Sequence, residues 1–136
     1  MKETSKRKER PGLPKVDDEM RQLCGLISAE LKKWPDVTSR HMFGMLSFYR
    51  EVSHFPQPKI FACIPDKRAL SSARAIAFKL EKPTQAHLAR MKAEVRIATP
   101  AIAAHAKWLE FSLTAPGDIH EALWWLEQAY KSSKNK

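Results

Sequence analysis

Lys107-Trp108-Leu109-Glu110-Phe111-Ser112-Leu113-Thr114-Ala115-Pro116-Gly117-Asp118, followed by residues 119–130, is the stretch that decides the fold of this chain. Trp108, Glu110 and Ser112 alternate with Leu109, Phe111 and Leu113, the period of two that a half-buried strand requires. Asp118 then predicts a helix N-cap, with Glu121 reaching back from three residues on, as in a capping box, and acidic groups near the positive helix end. At about 100° per residue, the helix 119–130 predicts a buried stripe of Ile119, Ala122, Leu123, Leu126 and Tyr130. Trp125 falls at its edge and Trp124 nearly opposite, beside His120 and Gln128. A tryptophan so placed needs a partner, which makes Trp124 a candidate contact for a ligand, a protein partner or a second copy in a homodimer.

Working outward, residues 95–98 read equally as strand or loop, and Thr99-Pro100 predicts a capped turn of helix through Ala104. Pro83-Thr84 opens a short helix carrying Leu88 and Met91, with Arg90 and Lys92 turned outward. In the strand 73–80, Arg74, Ile76, Phe78 and Leu80 share one face and Ala75, Ala77 and Lys79 the other. Residues 60–64 form a strand stopped by Pro65, after an exposed loop with Pro56 and Pro58. Residues 37–43 and 45–50 are strands around a tight turn or bulge at Gly44. Asp17 and Asp18 open a helix with apolar residues Met20, Leu23, Cys24, Ile27 and Leu31 at spacings of three and four, ended by Trp34-Pro35. Short strands between long terminal helices predict an α+β fold: an antiparallel sheet of about five strands packed with N-terminal and C-terminal helices.

With 136 residues, 43% of them hydrophobic, the chain can bury one ordinary core. Its formal charge is +9, but residues 1–15 hold six basic and two acidic side chains (+4) and residues 131–136 three lysines (+3), leaving +2 for 16–130. The expected organisation is a flexible basic tail over 1–15, a single domain over 16–130 and a basic tail over 131–136. There is no apolar signal region and no stretch near the ~20 apolar residues of a membrane span. Cys24 on a helical face and Cys63 in a strand form no CxxC pattern. Together these features predict a cytoplasmic protein with reduced core thiols and no membrane partner.

The groups that could carry chemistry are sparse. His41, His54, His87, His105 and His120 include no pair at i, i+4, so no metal site or cofactor is expected from spacing. There is no GxSxG and no glycine-rich phosphate loop, which favours a non-enzyme. His105, Lys107 and Trp108 lie where a loop enters a strand, a position suited to the rim of a site; structurally, Trp108 would anchor the strand and His105 cap a turn. Lys79 can cover apolar surface with its stem, and Arg74 on the opposite face cannot share an anion site with it. Arg90, Lys92 and Arg96 come nearest to a basic stripe. Two readings follow: a nonenzymatic binding module with nucleic acid as candidate partner, or a small-ligand or enzymatic domain using a pocket between sheet and helices, with His105, Lys107 and Trp124 contributing.

The order Trp34-Pro35-Asp36-Val37, Met42-Phe43-Gly44, Lys59-Ile60-Phe61-Ala62, Ile76-Ala77-Phe78-Lys79-Leu80, His105-Ala106-Lys107-Trp108 and a helix ending Ala129-Tyr130 resembles the MmcQ/YjbR-like proteins across residues 17–132. The last helix, with Ala122-Leu123-Trp124-Trp125-Leu126, is also similar to the small bacterial luciferase-domain family of unknown function, and Phe43-Gly44 faintly resembles the N-terminal domain of the competence regulator TfoX. The resemblance implies a compact double-wing α+β domain, for which DNA binding is the function suggested by shape. Members of that family often carry a glycine turn between the third and fourth strands, whereas residues 66–72 here contain none.

Overall fold

The structure, a computed structural model, describes residues 15–51, 57–68, 74–98 and 108–133. Helix α1 (Asp18–Leu31) starts where Asp17 accepts the Met20 N–H at 2.8 Å. Met20, Leu23, Cys24, Ile27 and Leu31 are all buried, as their spacing predicts. The helix ends at Leu31, three residues before Trp34-Pro35, because the N–H groups of Lys33 and Trp34 turn back to the Glu30 and Leu31 carbonyls. Asp36, at φ 63, then reverses the chain into β1 (Val37–Met42). β1 and β2 (Met45–Arg50) form a hairpin whose two loop residues, Phe43 and Gly44, both have positive φ (54 and 79). That backbone matches the twist of the flanking strands, and it forces an aromatic side chain into a region glycine or asparagine prefers.

β3 (Lys59–Pro65), β4 (Ala75–Lys79), β5 (Ile97–Ala98) and β6 (Trp108–Ser112) complete a six-stranded sheet in the order β1-β2-β3-β4-β6-β5, with every pair antiparallel. The fold is α+β, with one strand more than the sequence predicts because the ambiguous 95–98 stretch supplies β5. β4 begins at Ala75, two residues later than the expected start of the strand. Phe48 pairs with Ala62 and Tyr49 with Ile60, so Phe61 is an added residue in β3. Such a bulge re-aims one side chain; Phe61 is fully buried, stacked on Trp34 at 6.4 Å and edge-on to Tyr130 at 5.7 Å.

Helices α2 (Gln85–Ala93) and α3 (Ile119–Ser132) follow β4 and β6 respectively. α1 and α3 pack against the middle strands and each other, over Phe48, Ala62, Ile64, Ile76, Phe78, Phe111 and Leu113. The opposite face carries a transverse row of paired residues, Ser47, Cys63, Ala77, Glu110 and Ala98. Alternation along β6 puts Glu110 on this second face, yet its relative exposure is only 7%. This face of the sheet is therefore not simply solvated.

Two expectations for α3 are corrected. Its buried residues are Ala122, Trp125, Leu126, Ala129 and Ser132, while Ile119, Leu123 and Tyr130 are half-buried. The helix is turned so that Trp125 sits in the core, 5.7 Å from the Phe78 ring, and its indole N–H finds Glu121 at 3.0 Å, which removes the cost of burying that donor. Asp118 does not cap α3 with its side chain. Instead the carboxylate closes the preceding turn, accepting from the Thr114 N–H (2.8 Å), the Thr114 hydroxyl (3.0 Å) and the Ala115 N–H (3.2 Å).

Candidate functional site

The cations nominated from sequence lie on α2 and the turn after it. Thr84 and His87 cap α2 reciprocally, each accepting the other's backbone N–H, and His87 Nε2 meets Gln128 Oε1 at 2.9 Å. This ties α2 to α3 and brings Arg90 over Trp124, with its guanidinium carbon 3.8 Å from the ring centre. Arg90 also forms a two-pronged pair with Glu121, at 3.0 and 2.8 Å. That pairing holds the Glu121 carboxyl below the usual carboxylate range. Arg96 is held between Glu94 (2.7 Å) and Asp118 (2.9 Å) and lies over the Phe111 ring. The Glu94 carboxyl is lowered chiefly by Arg96, and that of Asp118 chiefly by the Thr114 N–H. Two of the three nominated cations are thus neutralised by acids up to 31 residues away, and the expected basic stripe is a network of ion pairs around Lys92.

Trp124 is half-buried and finds partners within the chain: Arg90, the His87 ring at 6.3 Å and the Trp125 ring at 4.9 Å. Trp108 opens β6 and pairs in register with Lys79, whose ammonium meets Glu81 at 3.4 Å. Arg74 is engaged with Asp17, Glu19 and the Leu113 carbonyl on the helix side, so neither basic residue of this strand region is an unoccupied anion group. His105, Lys107 and the helical turn expected at 99–104 lie outside the described residues.

A different cluster forms at the β1–β2 hairpin, which the charge pattern alone does not reveal. Phe43, at its tip, is 77% exposed. The Gly44 carbonyl accepts the successive N–H groups of Asp66, Lys67 and Arg68, at 3.2, 2.8 and 3.0 Å. This wraps the start of the β3–β4 connection around the turn, and no side chain fits at Gly44, where an added Cβ would lie 2.7 Å from Arg68 Cγ. Lys15 bridges to Arg68, and the Val16 N–H reaches the Lys67 carbonyl at 3.1 Å. Lys15, Val16, Arg21, Lys67 and Arg68 line a hollow of about 270 Å³. Asp66 faces this cluster, meeting Arg21 at 3.5 Å and His41 at 3.6 Å. Among the described residues no carboxylate pairs with Lys15 or Lys67. The sequence signal for the tip was an aromatic directly before a hairpin glycine, which assigns the aromatic to the strained, outward position.

The thiols are poor nucleophiles. Burial pushes Cys24 up to about 12, and burial likewise raises Cys63, which lies 3.7 Å from the Ser47 hydroxyl. Among the described residues no three His, Cys, Asp or Glu side chains converge to hold a metal ion, and no helix is long and apolar enough to cross a membrane. No protein-family model, curated protein or solved structure matches this chain.

Proposed function

We propose that this protein is a nonenzymatic binding module for nucleic acid, of the kind its resemblance to MmcQ/YjbR-like proteins implies, and that it engages its partner through the β1–β2 hairpin. The observation that carries this reading is the hollow lined by Lys15, Lys67 and Arg68, the last two tied through their backbone to the Gly44 carbonyl, together with the exposed Phe43 of the same hairpin. Lys15, Arg21, Lys67 and Arg68 around this hollow supply a group of cations suited to phosphate. Phosphate contacts supply affinity and register. An exposed ring on a rigid turn supplies a surface on which an unpaired base can stack. Holding Phe43 at positive φ costs free energy, and such strain persists where the surrounding structure and the function both demand it.

The test is salt-dependent binding of a single-stranded oligonucleotide and of a duplex to the whole chain. Lys15→Ala with Lys67→Ala should reduce the slope of log K against log salt by about 0.7 per lost contact on a single strand and about 0.9 on duplex. Phe43→Ala should weaken single-strand binding by about 1–3 kcal/mol and leave the slope unchanged. Binding that ignores these residues, or depends instead on Arg90 and Arg96, would refute the assignment.

A groove between α2 and the β5–β6 edge favours the second reading. It encloses about 510 Å³ and is lined by Leu88, Met91, Ile97 and Leu109 with Lys92 beside them, a size and chemistry suited to a small apolar ligand with an anionic end. It becomes the leading site if oligonucleotides do not bind.

A further inference from the structure

We infer that the hollow between the end of α1 and the middle of α3 is a binding site for an organic ammonium cation. It has a volume of about 280 Å³ and is lined by Glu30, Trp34, His120, Leu123, Trp124 and Glu127. Two indoles and two carboxylates around one cavity form an environment suited to a large, weakly hydrated cation. An indole attracts a cation through its quadrupole, and the acids add Coulombic attraction.

The aromatic walls are held in place before any guest arrives. Trp34 is braced by Tyr130 (ring centres 5.1 Å apart) and by Phe61, and the Tyr130 hydroxyl donates to the Pro35 carbonyl at 2.8 Å. Trp124 is fixed on its α2 side by Arg90, whose charge is balanced by Glu121. That contact shows the same indole already receiving one cation. Among the described residues the carboxylates are held only by nearby lysines: Glu30 meets Lys33 at 3.8 Å, and Glu127 meets Lys131 at 3.6 Å. Exposed pairs of this kind contribute little, so a guest cation can displace them. In a chain of net charge +9, an acidic aromatic hollow is set apart from the basic hairpin by both sign and position.

The recognised chemistry is a methylated ammonium head, carried either by a free small molecule or by a trimethylated lysine of another polypeptide. Choline is the probe for the first, and a short peptide with trimethyllysine, against its unmethylated form, for the second. Titration of the whole chain with choline, read by tryptophan fluorescence, should give a saturable change, while the neutral isostere 3,3-dimethylbutan-1-ol should give none. Glu30→Gln with Glu127→Gln, both at the surface and outside the core, should weaken choline binding by about fivefold or more; Trp124→Phe should weaken it less than Trp124→Ala. Tighter binding of the methylated peptide than of choline would assign the protein-borne source, and the reverse the free one. Equal responses to choline and its neutral isostere, no saturable response to choline or to the methylated peptide, or unchanged affinity in the double Gln variant would overturn the proposal.

Discussion

Arg90 and Trp124 lie face to face across the α2–α3 boundary, with the guanidinium carbon 3.8 Å from the indole centre and the guanidinium also paired to Glu121. Arg90 therefore acts as a structural clamp between two helices. In a double-mutant cycle of Arg90→Ala and Trp124→Ala, followed by urea unfolding, the coupling should be about 0.5–1 kcal/mol. Purely additive effects would show that the stacking contributes nothing.

The carboxyls of Glu94, Asp118 and Glu121 all sit below their ordinary values. They bind protons less readily folded than unfolded, so in the window below about pH 4.5 the unfolded chain takes up more protons and acid favours unfolding. The stability they contribute is fully present near neutrality and is lost as pH falls through that window. Arg90→Met with Arg96→Met should flatten the acid limb of a melting-temperature profile; an unchanged limb would assign acid sensitivity to other carboxyls.

Phe43 should display a trade between stability and binding. Phe43→Asn places a residue that tolerates positive φ at the tip and should stabilise the fold by about 0.5–1 kcal/mol in chemical denaturation, while weakening oligonucleotide binding. A less stable variant would mean that the ring is packed rather than strained.

Gly44→Ala should have the opposite sign. Its φ of 79 and the 2.7 Å approach to Arg68 Cγ leave no room for a methyl group, and displacing Arg68 would disturb the three N–H groups converging on the Gly44 carbonyl. A loss of about 1–2 kcal/mol is expected. Stability within a few tenths of the parent would show that the turn relaxes freely.

Cys24, with 2% exposure and its thiol raised to about 12, should resist iodoacetamide at pH 8 while the protein is folded and react in denaturant. Mass spectrometry of alkylated peptides reads this directly; rapid native labelling would indicate local opening of α1.

The elements most legible in the sequence were those governed by local periodicity. The Met20–Leu31 spacing, the strands flanking Gly44 and the alternation at 108–113 each correspond to an observed element. What local pattern could not supply was the orientation of α3 and the state of its neighbours' charges. Trp125 becomes a core residue because Glu121 satisfies its indole N–H, and Glu121 is then unavailable for the capping box. Asp118 is likewise occupied by Thr114, Ala115 and Arg96. Arg90 looked available because its partner Glu121 is 31 residues distant, and only the fold brings them together; Arg96 gains Asp118 from 22 residues away, but its other partner, Glu94, stands two residues before it in the sequence. The hairpin cluster was hidden for the same reason, since the bridge of Lys15 to Arg68 and the Val16–Lys67 hydrogen bond join remote segments.

The position of β6 has a further consequence for how the chain reaches this state. β6 pairs with β4 on one side and β5 on the other, and α3 lays Trp125, Leu126 and Ala129 over the middle strands. A nascent chain still lacking residues 108–133 would present Ile76 and Phe78 to solvent along an unpaired β4 edge. Productive folding therefore waits for residues 108–133 to leave the ribosome, and a stop before them would yield a species prone to edge-to-edge association rather than a smaller stable unit.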